Sequence, residues 1–166
     1  AGCVVIAPPV VAGGKFRILE RHQWKGMDFA QQAESIRELT QKYTVEYIGI
    51  DATGLGQGVF QLVRSFYPAA REIRYTPEMK TAMVLKAKDT IRRGCLEYDV
   101  SATDITQSFM SIRKTMTNSG RSSTYEASRT EEASHADLAW ATMHVLINEP
   151  LTAATGEQSS SIMEWN

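Results

Sequence analysis

One stretch constrains this chain more than any other: Tyr47-Ile48-Gly49-Ile50-Asp51-Ala52-Thr53-Gly54-Leu55-Gly56-Gln57-Gly58, an apolar run that stops at one acid and turns through glycines. Val45, Tyr47, Ile48 and Ile50 predict a buried strand, because β-branched and aromatic side chains pack well on a pleated surface and glycines punctuate the far end. Asp51 then stands at the carboxyl end of that strand. In open α/β sheets ligands bind there, in the crevice that the flanking helices leave uncovered.

The rest of the chain sets the frame for that acid. With 166 residues it predicts one domain with a single sizeable core over residues 1–150. The formal net charge of -1 excludes a globally basic surface, so a polyanion would need a local patch or metal ions. Cys3 and Cys95 are far apart and belong to no Cys-x-x-Cys pair, which argues against a disulfide framework or a zinc site and fits a reducing cytosol. No apolar run approaches the roughly 20 residues of a membrane span. The sequence opens on Ala1-Gly2-Cys3 and runs straight into Val4-Val5-Ile6, which suggests a fragment of a longer protein. From Leu151 to Ser161 it is rich in Thr, Ser, Ala and Gly without apolar periodicity, so residues 151–166 are expected to be a mobile tail.

Local patterns predict the elements. Val4 to Ala7 reads as a strand, Pro8-Pro9 and Gly13-Gly14 as a loose hairpin connection, and Phe16 to Arg21 as its second strand. Asp28 with Gln31 forms a capping box ahead of the stripe Phe29, Ala33, Ile36, Leu39 and Tyr43. Val59, Phe60, Leu62, Val63 and Phe66 predict the helix after the glycines, and Glu72 to Tyr75 a short strand. Thr76-Pro77 opens a third helix, with Met79, Met83, Ala87 and Ile91 facing inward and Gly94 closing it. Phe109 to Met116 and Ser122 to Ser128 predict a second hairpin. Ser134 with Asp137 resembles a capping box for a last, largely apolar helix that runs to Ile147. The order describes an α/β domain with a mixed sheet that opens on antiparallel strands.

Two isolated acids, Asp51 at a strand end and Asp137 in the first turn of a buried helix, are the residues that can converge over such a sheet. Asp137 equally suits a purely structural role, since an acid there is favoured by the helix dipole. At an effective dielectric near 20, two carboxylates about 4 Å apart repel by roughly 4 kcal/mol, so a converging pair needs a cation. Oxygen ligands without His or Cys partners select a hard ion such as Mg2+ or Mn2+. His135 lies two residues before Asp137, about 200° away on a helix, so it can join only as an outer partner unless the helix starts after it. Lys80 and Lys88 on the third helix, with Lys86, Arg92 and Arg93 nearby, are either a solvated face or a phosphate-tracking surface. Arg113, Lys114, Arg121 and Arg129 make the second hairpin the most basic element, through edge protection or through contact with DNA.

Tyr47 to Gly56, Thr76-Pro77-Glu78-Met79-Lys80, Arg93-Gly94, Ser108-Phe109-Met110 and above all His135-Ala136-Asp137-Leu138-Ala139-Trp140-Ala141 resemble the nuclease domain of the large terminase subunit of tailed bacteriophages. The likeness runs over nearly all of residues 3 to 150. It implies a ribonuclease H-like fold and a metal-dependent endonuclease, probing double-stranded DNA with two Mg2+ or Mn2+ ions and cutting concatemers during packaging. It further implies an upstream ATPase domain, a small terminase subunit and a portal as partners, and the cytoplasm of the infected bacterium as the location. Asp51 and Asp137 would be the second and third acids of the metal cluster, and Lys80, Lys88, Arg113, Lys114 and Arg121 would meet DNA. The family's first acid lies on a strand that has no counterpart here: Val4 to Ala7 carries no acid, and neither Glu20 nor Asp28 matches. An acid-bearing strand is therefore expected before Ala1, to complete the cluster.

Two other readings stay open. Gly54, Gly56 and Gly58 after a strand suggest a nucleotide-binding module, although a dinucleotide fingerprint places its glycines before the acid and no phosphate-loop lysine follows. A non-catalytic interaction domain on the same fold is the second.

Overall fold

The computed structural model describes residues 1–117, 120, 123–127 and 136–149. In chain order its elements are β1 (Gly2–Ala7), β2 (Phe16–Gln23), α1 (Phe29–Lys42), β3 (Gly49–Asp51), α2 (Gly56–Phe66), β4 (Arg71–Ile73) and α3 (Pro77–Arg92). Then come β5 (Leu96–Glu97), α4 (Thr103–Met110), β6 (Ile112–Met116), β7 (Ser123–Ala127) and α5 (Ala136–Asn148).

Where local chemistry is strong, the expected boundaries are met. Asp28 accepts the Gln31 amide at 2.8 Å while the Gln31 side chain accepts the Asp28 amide at 3.0 Å, the reciprocal cap that starts α1. Thr76 accepts the Met79 amide at 3.1 Å, and Pro77 opens α3 at a position where a missing N–H costs nothing.

The strands form three groups. β1 and β2 are antiparallel, with Gly2 opposite Gln23 and an irregularity between Val5 and Ile6, and β5 joins β2 in parallel. β3 and β4 are a parallel pair in which Asp51 lies opposite Ile73, and β6 and β7 are an antiparallel hairpin. The Asp51 strand is shorter than its composition predicts and begins only at Gly49. Its partner strand starts late, after the turn at Tyr67–Ala70, and the Val45 carbonyl is taken instead by the Tyr67 hydroxyl at 3.2 Å. Tyr75 likewise falls outside β4, because its amide donates to the Thr53 hydroxyl at 3.0 Å.

Three expectations are corrected. Phe109 and Met110 belong to α4, not to a strand, because Ile105 and Ser108 are buried at helical spacing against α5. The Ser108 hydroxyl accepts the Ala139 amide at 2.8 Å, which ties α4 to the first turns of α5. Ile91 is 46% exposed, and Thr90 takes the inward place. Twelve residues after Met79, the helix has turned about 120° past the inward line. Lys86, grouped above with the surface cations, is buried at 2% exposure. The expected tail, Arg121, Arg129, Ser134 and His135 lie outside the described residues.

The core has three parts. The largest joins α3, α5 and the hairpin through Met83, Val84, Ala87, Tyr125, Trp140, Met143 and Leu146. A second lies wholly within residues 33–70, from Ala33 through Val59, Phe60 and Val63 to Ala70. A third unites Ile18, Ala102, Ile105 and Leu138. α5 contributes to the first and third parts and packs against β1, β2, β3, α3 and α4. No described helix is long and apolar enough to cross a membrane.

Candidate active site

β1 and β3 stand on either side of a cleft of about 990 Å³, and α5 contributes Asp137, Trp140, Ala141, His144 and Val145 to its wall. Asp51 lines the same cleft. Each flanking strand is paired on one edge only among the described strands, β1 with β2 and β3 with β4.

Two close approaches fix where the acids stand. A Cβ at Gly56 would fall 1.8 Å from the Asp51 carbonyl oxygen, so the chain can fold back over the strand end only with glycine there. A Cβ at Gly2 would come within 2.9 Å of the Asp137 backbone, so glycine lets the start of β1 approach the start of α5. The Asp51 carboxylate accepts the Thr53 amide at 2.8 Å. The Asp137 carboxylate is 42% exposed.

Tyr75 sits between the two acids in electrostatic terms. Burial raises its phenol pKa far above the ordinary range, and the Asp51 and Asp137 carboxylates push it further the same way. Its hydroxyl lies 2.7 Å from His144 Nε2, and His144 Nδ1 lies 3.4 Å from the Gly49 carbonyl oxygen. Burial holds His144 neutral, with a pKa lowered to about 4, although the Gly49 carbonyl and Asp51 oppose the shift. Cys3, also on the cleft, has its thiol pushed up to about 12 by burial and then by Glu20.

This donor set fits a hard divalent ion in part. The imidazole is engaged at both nitrogens and the thiol stays protonated, which leaves carboxylate oxygens as the charged donors, the set suited to Mg2+ or Mn2+. Among the described residues no three His, Cys, Asp or Glu side chains gather into a ligand cluster. Asp51 and Asp137 alone are fewer ligands than such an ion takes.

The predicted cations divide. Lys80 stands 5.9 Å from the ring centres of both Tyr75 and Trp140, which line the cleft beside the acids. Lys88, exposed farther along α3, lies 5.4 Å from the Tyr125 ring and links α3 to the hairpin. Arg113 and Lys114 are exposed on β6, away from the cleft, and Arg113 donates to the Met110 carbonyl at the end of α4 and to the Ile112 carbonyl at the start of β6. Glu20 is taken up elsewhere. Lys42, Tyr43 and His22 all bond its carboxylate, which the Lys42 bond above all holds at a pKa of about 2. Sequence reasoning gave His144 no role and Tyr75 none beyond a strand end. The available signal was the spacing of Asp137, Trp140 and His144, which are three and seven residues apart and share one helix face.

Comparison with known proteins agrees with this architecture. A family model, the terminase RNaseH-like domain, matches residues 1–149. The chain is 85% identical over 166 residues to the terminase ATPase subunit of Escherichia phage P2, a match covering 99% of this chain and 28% of that protein. It is 44% identical over 153 residues to a probable terminase ATPase subunit of Haemophilus phage HP1, covering 92% of this chain and 25% of that one. The chain thus spans about a quarter of the length of these relatives. Among solved structures, the large terminase nuclease of thermophilic phage G20c with bound cobalt superposes with a TM-score of 0.64 at 15% identity, over 89% of this chain and 80% of that one. The same nuclease with bound magnesium gives a TM-score of 0.60 at 17% identity, over 84% and 79%. These likenesses establish the ribonuclease H-like fold, and with the family model matched over residues 1–149 the chain belongs to the terminase RNaseH-like domain family.

Proposed function

We propose that this chain is the nuclease part of a large terminase subunit and hydrolyses phosphodiester bonds of double-stranded DNA with divalent metal ions. The observation that carries the reading is that Asp51 and Asp137, from a strand end and a helix start far apart in sequence, line one cleft whose charged donors are carboxylate oxygens. The G20c nuclease, with the same fold, binds cobalt in one structure and magnesium in another.

In this reading Asp51 and Asp137 hold two ions, and Mg2+ or Mn2+ bound there would supply Lewis acidity to the attacking water and to the departing oxygen. Asp51 is presented at a fixed angle by the Thr53 amide, and Asp137 by the docked start of α5. Lys80, its ammonium over two aromatic faces, holds a backbone phosphate beside the acids. Lys88, Arg113 and Lys114 extend the track along the duplex. The missing ligand arrives on a further strand bearing an acid, bedded in the cleft between the unpaired edges of β1 and β3. β1's six residues make that edge about 20 Å long at roughly 3.3 Å per residue, enough to pair with such a strand. The wider setting is genome packaging in the infected cell, with an ATPase domain in the same protein and with the small subunit and portal as partners.

The test uses the intact large subunit and supercoiled plasmid DNA. Nicking and linearisation are expected with Mg2+ or Mn2+ and are expected to stop on chelation. An intact subunit that cuts equally well in excess EDTA, or not at all with either ion, overturns the proposal.

A further inference from the structure

We propose that Tyr75 and His144 form a positioning pair that sets the separation of Asp51 and Asp137. This rests on the nuclease reading above and goes beyond it, because neither side chain is asked to touch metal or DNA.

The two acids stand on elements that share no backbone ladder, β3 and α5, and something must hold one against the other. A closed path of contacts does so. It leaves the Asp51 carboxylate through the Thr53 amide at 2.8 Å and continues from the Thr53 hydroxyl to the Tyr75 amide at 3.0 Å. From the Tyr75 hydroxyl it crosses to His144 Nε2 at 2.7 Å and returns from His144 Nδ1 to the Gly49 carbonyl at 3.4 Å, two residues before Asp51. A carbonyl can only accept, so Nδ1 carries the imidazole proton, Nε2 is the acceptor, and the Tyr75 hydroxyl donates to it. The phenol proton thus points into α5 and away from the carboxylates.

The path fixes α5 in rotation as well as in distance. Asp137, Trp140 and His144 share one helix face, so anchoring His144 to both Gly49 and Tyr75 sets the angle at which Asp137 meets the cleft. Trp140 packs on the same tyrosine, with ring centres 5.2 Å apart, and Lys80 stands over both rings. Ordinary packing would be served as well by phenylalanine at position 75. The hydroxyl is what ties the two acid-bearing elements together.

The discriminating variants keep shape and remove the bond: Tyr75→Phe, His144→Phe and the double variant, each made in the intact subunit. Mn2+ binding measured by calorimetry without DNA is expected to weaken about tenfold to a hundredfold in Tyr75→Phe, the range seen when outer-shell partners are lost. The double variant is expected to bind no more weakly than the poorer single one, since both changes cut the same path. Imidazole 15N spectra of the wild type are expected to show Nδ1 protonated, with the Nε2 signal moving in Tyr75→Phe. If His144→Phe fails to fold, Tyr75→Phe and the spectra still decide. Folded Tyr75→Phe that binds Mn2+ like the wild type, or a wild-type spectrum with the proton on Nε2, overturns the positioning pair alone. A wild-type protein that binds no Mn2+ overturns the nuclease reading and the pair together.

Discussion

Asp51→Asn in the intact subunit is expected to lower metal-dependent DNA cleavage by about a thousandfold or more, equivalent to roughly 4 kcal/mol of barrier. The substitution keeps the shape of the side chain and leaves an oxygen to accept the Thr53 amide, so β3 and its turn should survive. What it removes is a full negative charge from a site whose charged donors are carboxylates. Asp137→Asn should behave alike, because its carboxylate lines the same cleft as Asp51. Cleavage rates at saturating Mn2+, compared with melting temperatures in EDTA, check both at once. The melting points should stay close to wild type while cleavage disappears. Either variant cutting at the wild-type rate would remove that acid from the site.

Leu138→Ala carries the largest expected cost in stability, about 3 kcal/mol within the usual range of roughly 2–5 for a buried leucine. Leu138 is fully buried at 0% exposure among Ile18, Ala102 and Ile105, where β2, α4 and α5 meet. The cavity left behind cannot close easily, since Ser108 pins α4 to α5 one residue further along at Ala139. For a chain of this length the loss corresponds to a fall of about 6–12 °C in melting temperature. Urea unfolding should show a lower midpoint with an unchanged slope. As a comparison, Leu62→Ala on α2, where the side chain is 42% exposed, should cost much less. A loss below about 1 kcal/mol at Leu138 would mean that α5 is held mainly by other contacts.

Much of the fold was legible in the sequence because it is written in neighbouring residues. Asp28 with Gln31, and Thr76 with Pro77, are caps whose partners lie within one turn, and both helices start where those residues put them. The position of Asp51 at the end of its strand followed from an apolar run meeting glycines. The turn between β1 and β2 was legible for the same reason. α4 was not, because Ala102 offers it no side-chain cap and its eight residues are held by burial against α5. β5 was missed because two residues leave no periodic pattern. Lys86 reads as a surface cation in any window, and only the three-dimensional packing buries it. The bond between Tyr75 and His144 spans 69 positions, and no local rule reports it. Asp137 lay between these extremes: a carboxylate in the first turn of a helix suits dipole stabilisation as well as metal binding, and its place on one cleft with Asp51 is visible only in three dimensions.

The second core cluster bears on the order in which the chain assembles. All its buried members lie within residues 33–70, so the closures that bring α1, α2 and β3 together are short, and short loops cost little entropy to close. Asp51 is delivered by that local unit. Asp137 arrives only when the final helix docks across β1, α3 and α4, contacts that reach back over most of the chain. The electrostatic penalty of bringing the acids together therefore falls late, when the wall that must hold them is already being built. Pulse-labelled hydrogen exchange would read this directly, with amides of α1 and α2 protected before those of α5.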